Sequence, residues 1–164
     1  MSDKRVGKRD SIGLAPCHRE LAAGAFEDAR VSKLAAKAAK KAVKELLART
    51  ARDLAERASL MKRKTVSAEM VEAVVVGKCE GISRSDLIKG HKEKKRGLSQ
   101  AGVVRTIKKH TDLNISEDAK KALVGAAEAY LRALGQRAGM LARAGKRSTL
   151  LENDVKSAKQ MLSH

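Results

Sequence analysis

The chain has 164 residues, and its 36 Lys and Arg outnumber 19 Asp and Glu to give a formal charge of +17 and a pI near 10.2. That balance makes an extended polyanion the first partner to consider, with nucleic acid ahead of an anionic membrane surface. One Phe, one Tyr and no Trp argue against the aromatic base-stacking platforms of single-strand and RNA binders. No apolar run approaches the roughly 20 residues that span a bilayer, and "MSDKRVGKRD" lacks the apolar centre of a signal peptide, so a soluble intracellular protein is expected. Cys17 and Cys79 are too few for a disulfide framework and read as reduced thiols. His18, His91, His110 and His164 are scattered, so no metal and no cofactor is expected. Apolar content of 43%, carried by Ala, Leu and Val with a single Pro, predicts an all-α fold.

Residues 1–13 form a basic N-terminal tail. A first unit, 14–77, opens with a short helix that has Pro16 near its start. Ser32 is placed to cap a long helix whose inward stripe is Leu34, Ala38, Ala42, Leu46, Leu47, Leu54, Ala58 and Met61. A third helix turns Val71, Val74 and Val75 inward. Residues 78–97 read as a basic connector in which Ser83 could cap a short helix through Ile88, followed by the solvated strap "HKEKKR". The second unit, 98–164, opens with a short apolar face of Val103, Val104 and Ile107 and breaks at "HTDLN". Ser116 then caps a second long helix, with Glu117 and Asp118 in the first turn where the helix dipole favours negative charge. Its stripe is Leu123, Ala126, Ala127, Tyr130, Leu131, Leu134, Ala138 and Leu141, and Gly145 marks the stop. A final helix from Leu151 to Leu162 carries Val155, Ala158 and Leu162 inward.

The two units are repeats. "KRKTVSAEM" (62–70) and "KRSTLLEND" (146–154) are 84 residues apart, and the same offset lays "VSKLAAK" (31–37) on "ISEDAKK" (115–121) and Gly13-Leu14 on Gly97-Leu98. Each long helix leaves an apolar stripe that its short neighbours cannot cover, so each unit requires the other.

The second unit, with "TDL" (111–113), "EAYL" (128–131) and "AGKRSTLLENDVKSA" (144–158), is similar to eukaryotic histone three. The first, with "RDSI" (9–12), "RVS" (30–32), Arg52-Asp53 and "KRKTVSA" (62–68), is similar to histone four. The chain thus resembles a tandem histone-fold protein over residues 9–77 and 98–164. The order of the units resembles the fused histone doublets of giant DNA viruses, with archaeal tandem histones as the alternative. The resemblance implies two histone folds in tandem, short-long-short helices each, closed as an intramolecular handshake pseudo-heterodimer. It also implies non-sequence-specific binding, wrapping and compaction of double-stranded DNA in nucleosome-like particles, and no enzyme activity. Residence would be in chromatin or a nucleoid, or, for a viral protein, in the virion and the host nucleus or viral factory.

By that resemblance, loop one of each unit lies beside loop two of the other. Arg30 would then meet the 146–149 loop, and the 62–65 loop would meet Asn114. The implied DNA-binding set is Arg19, Arg30, Ser32, Lys62, Arg63, Lys64, Thr65, Arg105, Ser116, Lys146, Arg147 and Thr149. Guanidinium groups suit such a surface because they reach a compressed minor groove and bridge phosphates. Arg147 and Asp154 form the expected structural clamp, whereas the first unit has Met70 at the carboxylate position, with Glu69 as a possible substitute one residue away. Self-association, as a dimer of doublets or with other histone doublets, is assigned to Met140, Leu141, Ala144, Asp154, Ala158 and Leu162. Departures from the family pattern are Asn114 in loop one, Ala23 and Gly24 in place of cations in the first helix, and Ala144 in place of a histidine. No membrane or small-molecule partner is expected, and "GKR" (145–147) lacks a P-loop context. A histone-fold transcription-regulatory subunit, an archaeal-type nucleoid protein, and a basic helical protein for RNA or membrane surfaces are the alternatives.

Overall fold

The computed structural model describes residues 12–76, 82 and 98–162. Their helices are α1 (Leu14–Gly24), α2 (Lys33–Leu60), α3 (Ala68–Val76), α4 (Gln100–Lys108), α5 (Glu117–Ala144) and α6 (Glu152–Leu162). Four two-residue strands separate them: β1 (Arg30–Val31), β2 (Thr65–Val66), β3 (Asn114–Ile115) and β4 (Thr149–Leu150). From β1 onward each element of the first half begins 84 residues before its counterpart, and the two long helices match in length at 28 residues.

Serines start the long helices as expected. Ser32 Oγ accepts from Ala35 N at 3.0 Å and Ser116 Oγ accepts from Ala119 N at 3.1 Å, each satisfying one of the amides a helix start leaves without a carbonyl. Ser99 does the same for α4 through Gly102 N, at 3.2 Å. Thr50 and Thr106 sit mid-helix and buried, and each donates its hydroxyl to the carbonyl four residues back at 2.8 Å.

The strands fix the mutual arrangement. β1 pairs in parallel with β4, and β2 with β3, so the start of α2 lies at the end of α5 and the end of α2 at the start of α5. The long helices therefore run antiparallel, and each short helix packs on both of them. α5 is the central element, with every residue from Ala122 to Leu131 buried. A helix apolar on all sides is stable only where neighbours surround it. The Glu45 carboxylate of α2 and the Lys159 ammonium of α6 pair across the two halves. Ile12, Ile82 and Leu98 also join the common core.

The α2 stripe differs from expectation in phase. Its buried face is Ala35, Ala36, Ala39, Ala42, Val43, Leu46, Leu47, Thr50, Ala51, Leu54 and Ala58, whereas Leu34 is 58% and Met61 46% exposed and Ala38 is half-buried. Leu34 lies one residue, about 100° of helix rotation, off the stripe that the small alanines set. Met61 is the cap residue beyond the last turn. The other expected stripes face inward, except that Val104 and Leu141 are half-buried. Most of the tail, the Ser83–Ile88 helix and the 91–96 strap lie outside the described residues.

The backbones of α1 and α5 approach closely where the two helices cross. A Cβ on Gly24 would lie 2.0 Å from the Arg132 carbonyl oxygen, and one on Gly135 would lie 2.0 Å from that of Leu21. Beside this contact the buried Glu20 carboxylate meets Arg132 Nε at 3.7 Å. In an exposed helix, Gly→Ala raises stability by about 1 kcal/mol. Gly135→Ala is expected to reverse that sign and lower stability by about 3 kcal/mol, because the methyl meets a backbone that cannot retract. Denaturant unfolding checks it, and a stabilised variant would refute the close approach.

Candidate nucleic-acid interface

Two paired-loop surfaces form, one at each end of the long-helix pair. At the first, Arg30 stands opposite Thr149 and Val31 opposite Leu150, with Arg30 N donating to Ser148 O at 2.9 Å and Ser32 N to Leu150 O at 3.1 Å. At the second, Thr65 faces Asn114 and Val66 faces Ile115, with Asn114 N donating to Lys64 O at 3.0 Å and Ser116 N to Val66 O at 3.1 Å. The inner strand residues Val66, Ile115 and Leu150 are buried, and the outer ones alternate toward solvent. Arg30, Lys62, Arg63, Lys64 and Thr65 are exposed, as is Lys146, while Arg147 and Thr149 are half-buried. Arg19 and Arg105 are exposed on α1 and α4. Arg19 lines a groove of about 600 Å³ with His18, Val31 and Lys33 next to loop one.

The helix starts beside these loops are not equivalent. Both capping hydroxyls accept an amide of their own helix, so their first role is structural. α2 opens on Lys33 with no acid in its first turn, whereas α5 opens on Glu117 and Asp118. Carboxylates at a helix start occupy the positive end of its dipole, so the Ser116 site is the weaker anion site of the two. Glu117 is itself engaged by Lys120 at 3.0 Å, a hydrogen bond that lowers its pKa.

Both long helices end in the same hydrogen-bonded turn, and neither uses a left-handed glycine. Lys62 N bonds Ser59 O and Arg63 N bonds Ala58 O, and Lys146 N and Arg147 N bond Arg143 O and Ala142 O in the same pattern. The residue in left-handed conformation is a lysine each time, Lys62 at φ 54° and Lys146 at φ 58°. Gly145, the expected stop, is the cap residue at φ −84°. A side-chain-bearing residue in this region costs about 1–2 kcal/mol. Sequence reading missed this strain; the signal was a helix end with lysine where glycine is usual.

Beyond that turn the two loops diverge. Arg147 grips Asp154 with two bonds, Nη1 to Oδ2 at 2.7 Å and Nη2 to Oδ1 at 3.1 Å, and also donates to Thr149 O at 3.3 Å. Asp154 Oδ2 further accepts Leu151 N at 2.9 Å, closing the start of α6. Gly145 makes room for this, since a Cβ there would lie 3.1 Å from Arg147 Nε and Nη2. The Arg147 hydrogen bonds hold the Asp154 pKa below the ordinary carboxylate value against the opposing effect of burial. In the first half, Met61 occupies the place of Gly145, Met70 is buried in place of Asp154, and Ser67 Oγ accepts from Met70 N at 3.4 Å instead. Glu69 does not stand in for the missing carboxylate: among the described residues Arg63 makes no ion pair.

The expected self-association set is also divided. Asp154, Ala158 and Leu162 are buried at 6%, 0% and 3% exposure, because α6 turns them against the long helices and Asp154 is held by Arg147. Met140 and Ala144 are exposed, and Leu141 is half-buried. Arg143 is also exposed, and its guanidinium lies 4.3 Å from the Phe26 ring centroid, tying the end of α5 to the segment before β1.

Residues 89–161 match the Histone family model, the core domain shared by histones two A, two B, three and four. The whole structure is similar to that of the histone from Methanopyrus kandleri, with a TM-score of 0.75, 18% sequence identity, and coverage of 93% of this chain and 96% of that one. No curated protein matches the chain by sequence. The fold is the histone fold.

Two outcomes follow for the loops. Arg147→Ala leaves the buried Asp154 without its two guanidinium donors, with only Leu151 N still donating to it, and is expected to cost about 2 kcal/mol, against under about 0.5 kcal/mol for Arg63→Ala. Because the folded-state pKa of Asp154 is depressed, its contribution is complete above the unfolded carboxylate value of about 4 and is lost as pH falls below it. Asp154→Asn should flatten that acid limb in pH-dependent unfolding, and equal losses in the two Arg variants would contradict the asymmetry. Separately, Lys62→Gly or Lys146→Gly should raise stability by about 1 kcal/mol each by relieving the left-handed lysine. Thermal unfolding reads this directly, and destabilisation would refute the strain.

Proposed function

We propose that the chain is a histone doublet. Units 14–77 and 98–164 close as an intramolecular pseudo-heterodimer that binds, wraps and compacts double-stranded DNA without reading its sequence. The observation that carries this is the pair of parallel strand contacts, which sets the basic loop two of each unit beside loop one of the other. Loop-end cations at both ends of antiparallel helices about 42 Å long, at about 1.5 Å per residue, suit successive contacts along one bent duplex.

Roles follow from position. Arg30, Arg63 and Arg147 serve the minor groove or its flanking phosphates, a mode that histone octamers use without base-specific contacts. Lys62, Lys64 and Lys146 neutralise phosphates, and the strain at Lys62 and Lys146 is consistent with lysines retained for contact at some cost in stability. Thr65 and Thr149 offer hydroxyls at the strand pairs. Arg19 and Arg105 extend the surface along α1 and α4, and the start of α2 at Ser32 adds a helix-dipole contact. Association with further copies, or with other doublets, would proceed from the exposed end of α5.

The order of the units supports a giant-virus histone doublet working in viral or host chromatin. The structural similarity to an archaeal histone supports an archaeal-type nucleoid protein as the second reading.

Reconstituted complexes digested with micrococcal nuclease should give discrete protected fragments, and a smear without protection would defeat the wrapping proposal. Binding to unrelated duplexes should be equally tight and should weaken steeply with salt. Each loop Lys→Ala should reduce the salt slope by about one. A marked sequence preference would favour a transcription-regulatory subunit instead, and comparable binding to anionic liposomes a membrane-surface role.

A further inference from the structure

His18 is exposed on α1, and its ring Nε2 lies 3.2 Å from the carbonyl oxygen of Val31 in β1. A carbonyl oxygen only accepts, so Nε2 donates and carries the hydrogen of the neutral ring, and Nδ1 is the atom that takes up a further proton. Among the described residues the ring makes no other hydrogen bond. The bond ties α1 to loop one and keeps the ring next to the exposed Arg30, the residue before Val31. The charged groups that line the groove of about 600 Å³ beside it are Arg19 of α1 and Lys33 of α2, and no carboxylate lines it. Glu20 is buried against Arg132, and Glu27 and Asp28 of the turn before β1 do not line the groove either.

We propose that His18 is a protonatable phosphate contact, so that the chain takes up a proton when it binds duplex DNA. The inference rests on the DNA binding proposed above and adds its dependence on pH. A neutral ring held by Val31 offers a phosphate oxygen only the lone pair of Nδ1, whereas the protonated ring offers an N–H and a charge. DNA supplies the opposite charge that the groove lacks, and an opposite charge within about 4–6 Å favours the charged form of a titrating group. Histidine is the side chain that changes charge between about pH 5 and 8, a range in which Arg19, Arg30 and Lys33 keep theirs. Affinity is therefore greatest with the ring charged and falls as rising pH removes its proton. Gly102 stands 84 residues on from His18, so the second half has no counterpart of this contact.

The test titrates the full-length protein onto an unrelated DNA duplex at constant ionic strength, read by fluorescence anisotropy at about pH 8 and about pH 5.5, both above the acid limb of Asp154. Wild type should bind about tenfold more tightly at the lower pH, and its salt slope there should be larger by about one. His18→Gln keeps an amide donor for the Val31 carbonyl, and its affinities at the two pH values should differ by no more than about twofold, since it loses the charge and with it the proton uptake. His110→Gln should keep the tenfold difference. Circular dichroism at both pH values checks that each variant is folded. In wild type, the His18 ring resonances should titrate with a midpoint that moves upward when DNA is added. A pH difference that survives in His18→Gln or disappears in His110→Gln, wild-type affinity that does not change with pH, or a His18 midpoint that DNA leaves unmoved would overturn the proposal while the DNA reading stands. Failure to bind the duplex at either pH would overturn both.

Discussion

The structure depends on covering α5. Ten consecutive residues of that helix, Ala122 to Leu131, are buried, and neither half of the chain can enclose them alone. Burying a side chain such as Leu123, Leu131 or Leu134 contributes about 1.5–3 kcal/mol each. Removing the first half would return that surface to water. The interlock of the halves is therefore the condition under which either one folds, and the paired loops follow from it. Once α2 and α5 cross antiparallel, each loop two has only the other unit's loop one beside it.

Close packing of small residues sets the geometry of that interlock. Gly24 and Gly135 let the α1 and α5 backbones meet, and an alanine-rich α2 stripe lets the long helices approach. Seen this way, the absence of cations at Ala23 and Gly24 has a packing reason at Gly24, where any side chain would collide with the carbonyl of Arg132.

The two loops two share a backbone and differ in how they hold their arginine. In the second half, three residues act together: Gly145 leaves space, Arg147 folds back, and Asp154 receives it while also closing α6. In the first half all three features are absent or replaced. Met61 stands at the position of Gly145, Ser67 caps α3, and Met70 joins the core. Arg147 is thus held by the fold itself, whereas Arg63 makes no ion pair among the described residues.

Much was legible in the residues. The 84-residue offset, the serine caps and the break before Ser116 depend on local signals or on an internal repeat, the loop pairing was implied by the family resemblance, and each appears in the structure where it was expected. The Arg147–Asp154 clamp was likewise implied by the family resemblance, and the structure forms it. Other features depended on what lies opposite. Leu34 and Met61 fell outside the core because the phase of the α2 stripe is set by α1, α5 and α6, not by its own spacing. Ala158 and Leu162 are buried within the chain for the same reason. The glycine contacts and the left-handed lysines require a backbone to approach or a turn to close. Hydrogen-bonding and periodic patterns are short-range and written in the chain, whereas burial and steric fit belong to pairs of surfaces and exist only after the halves have met.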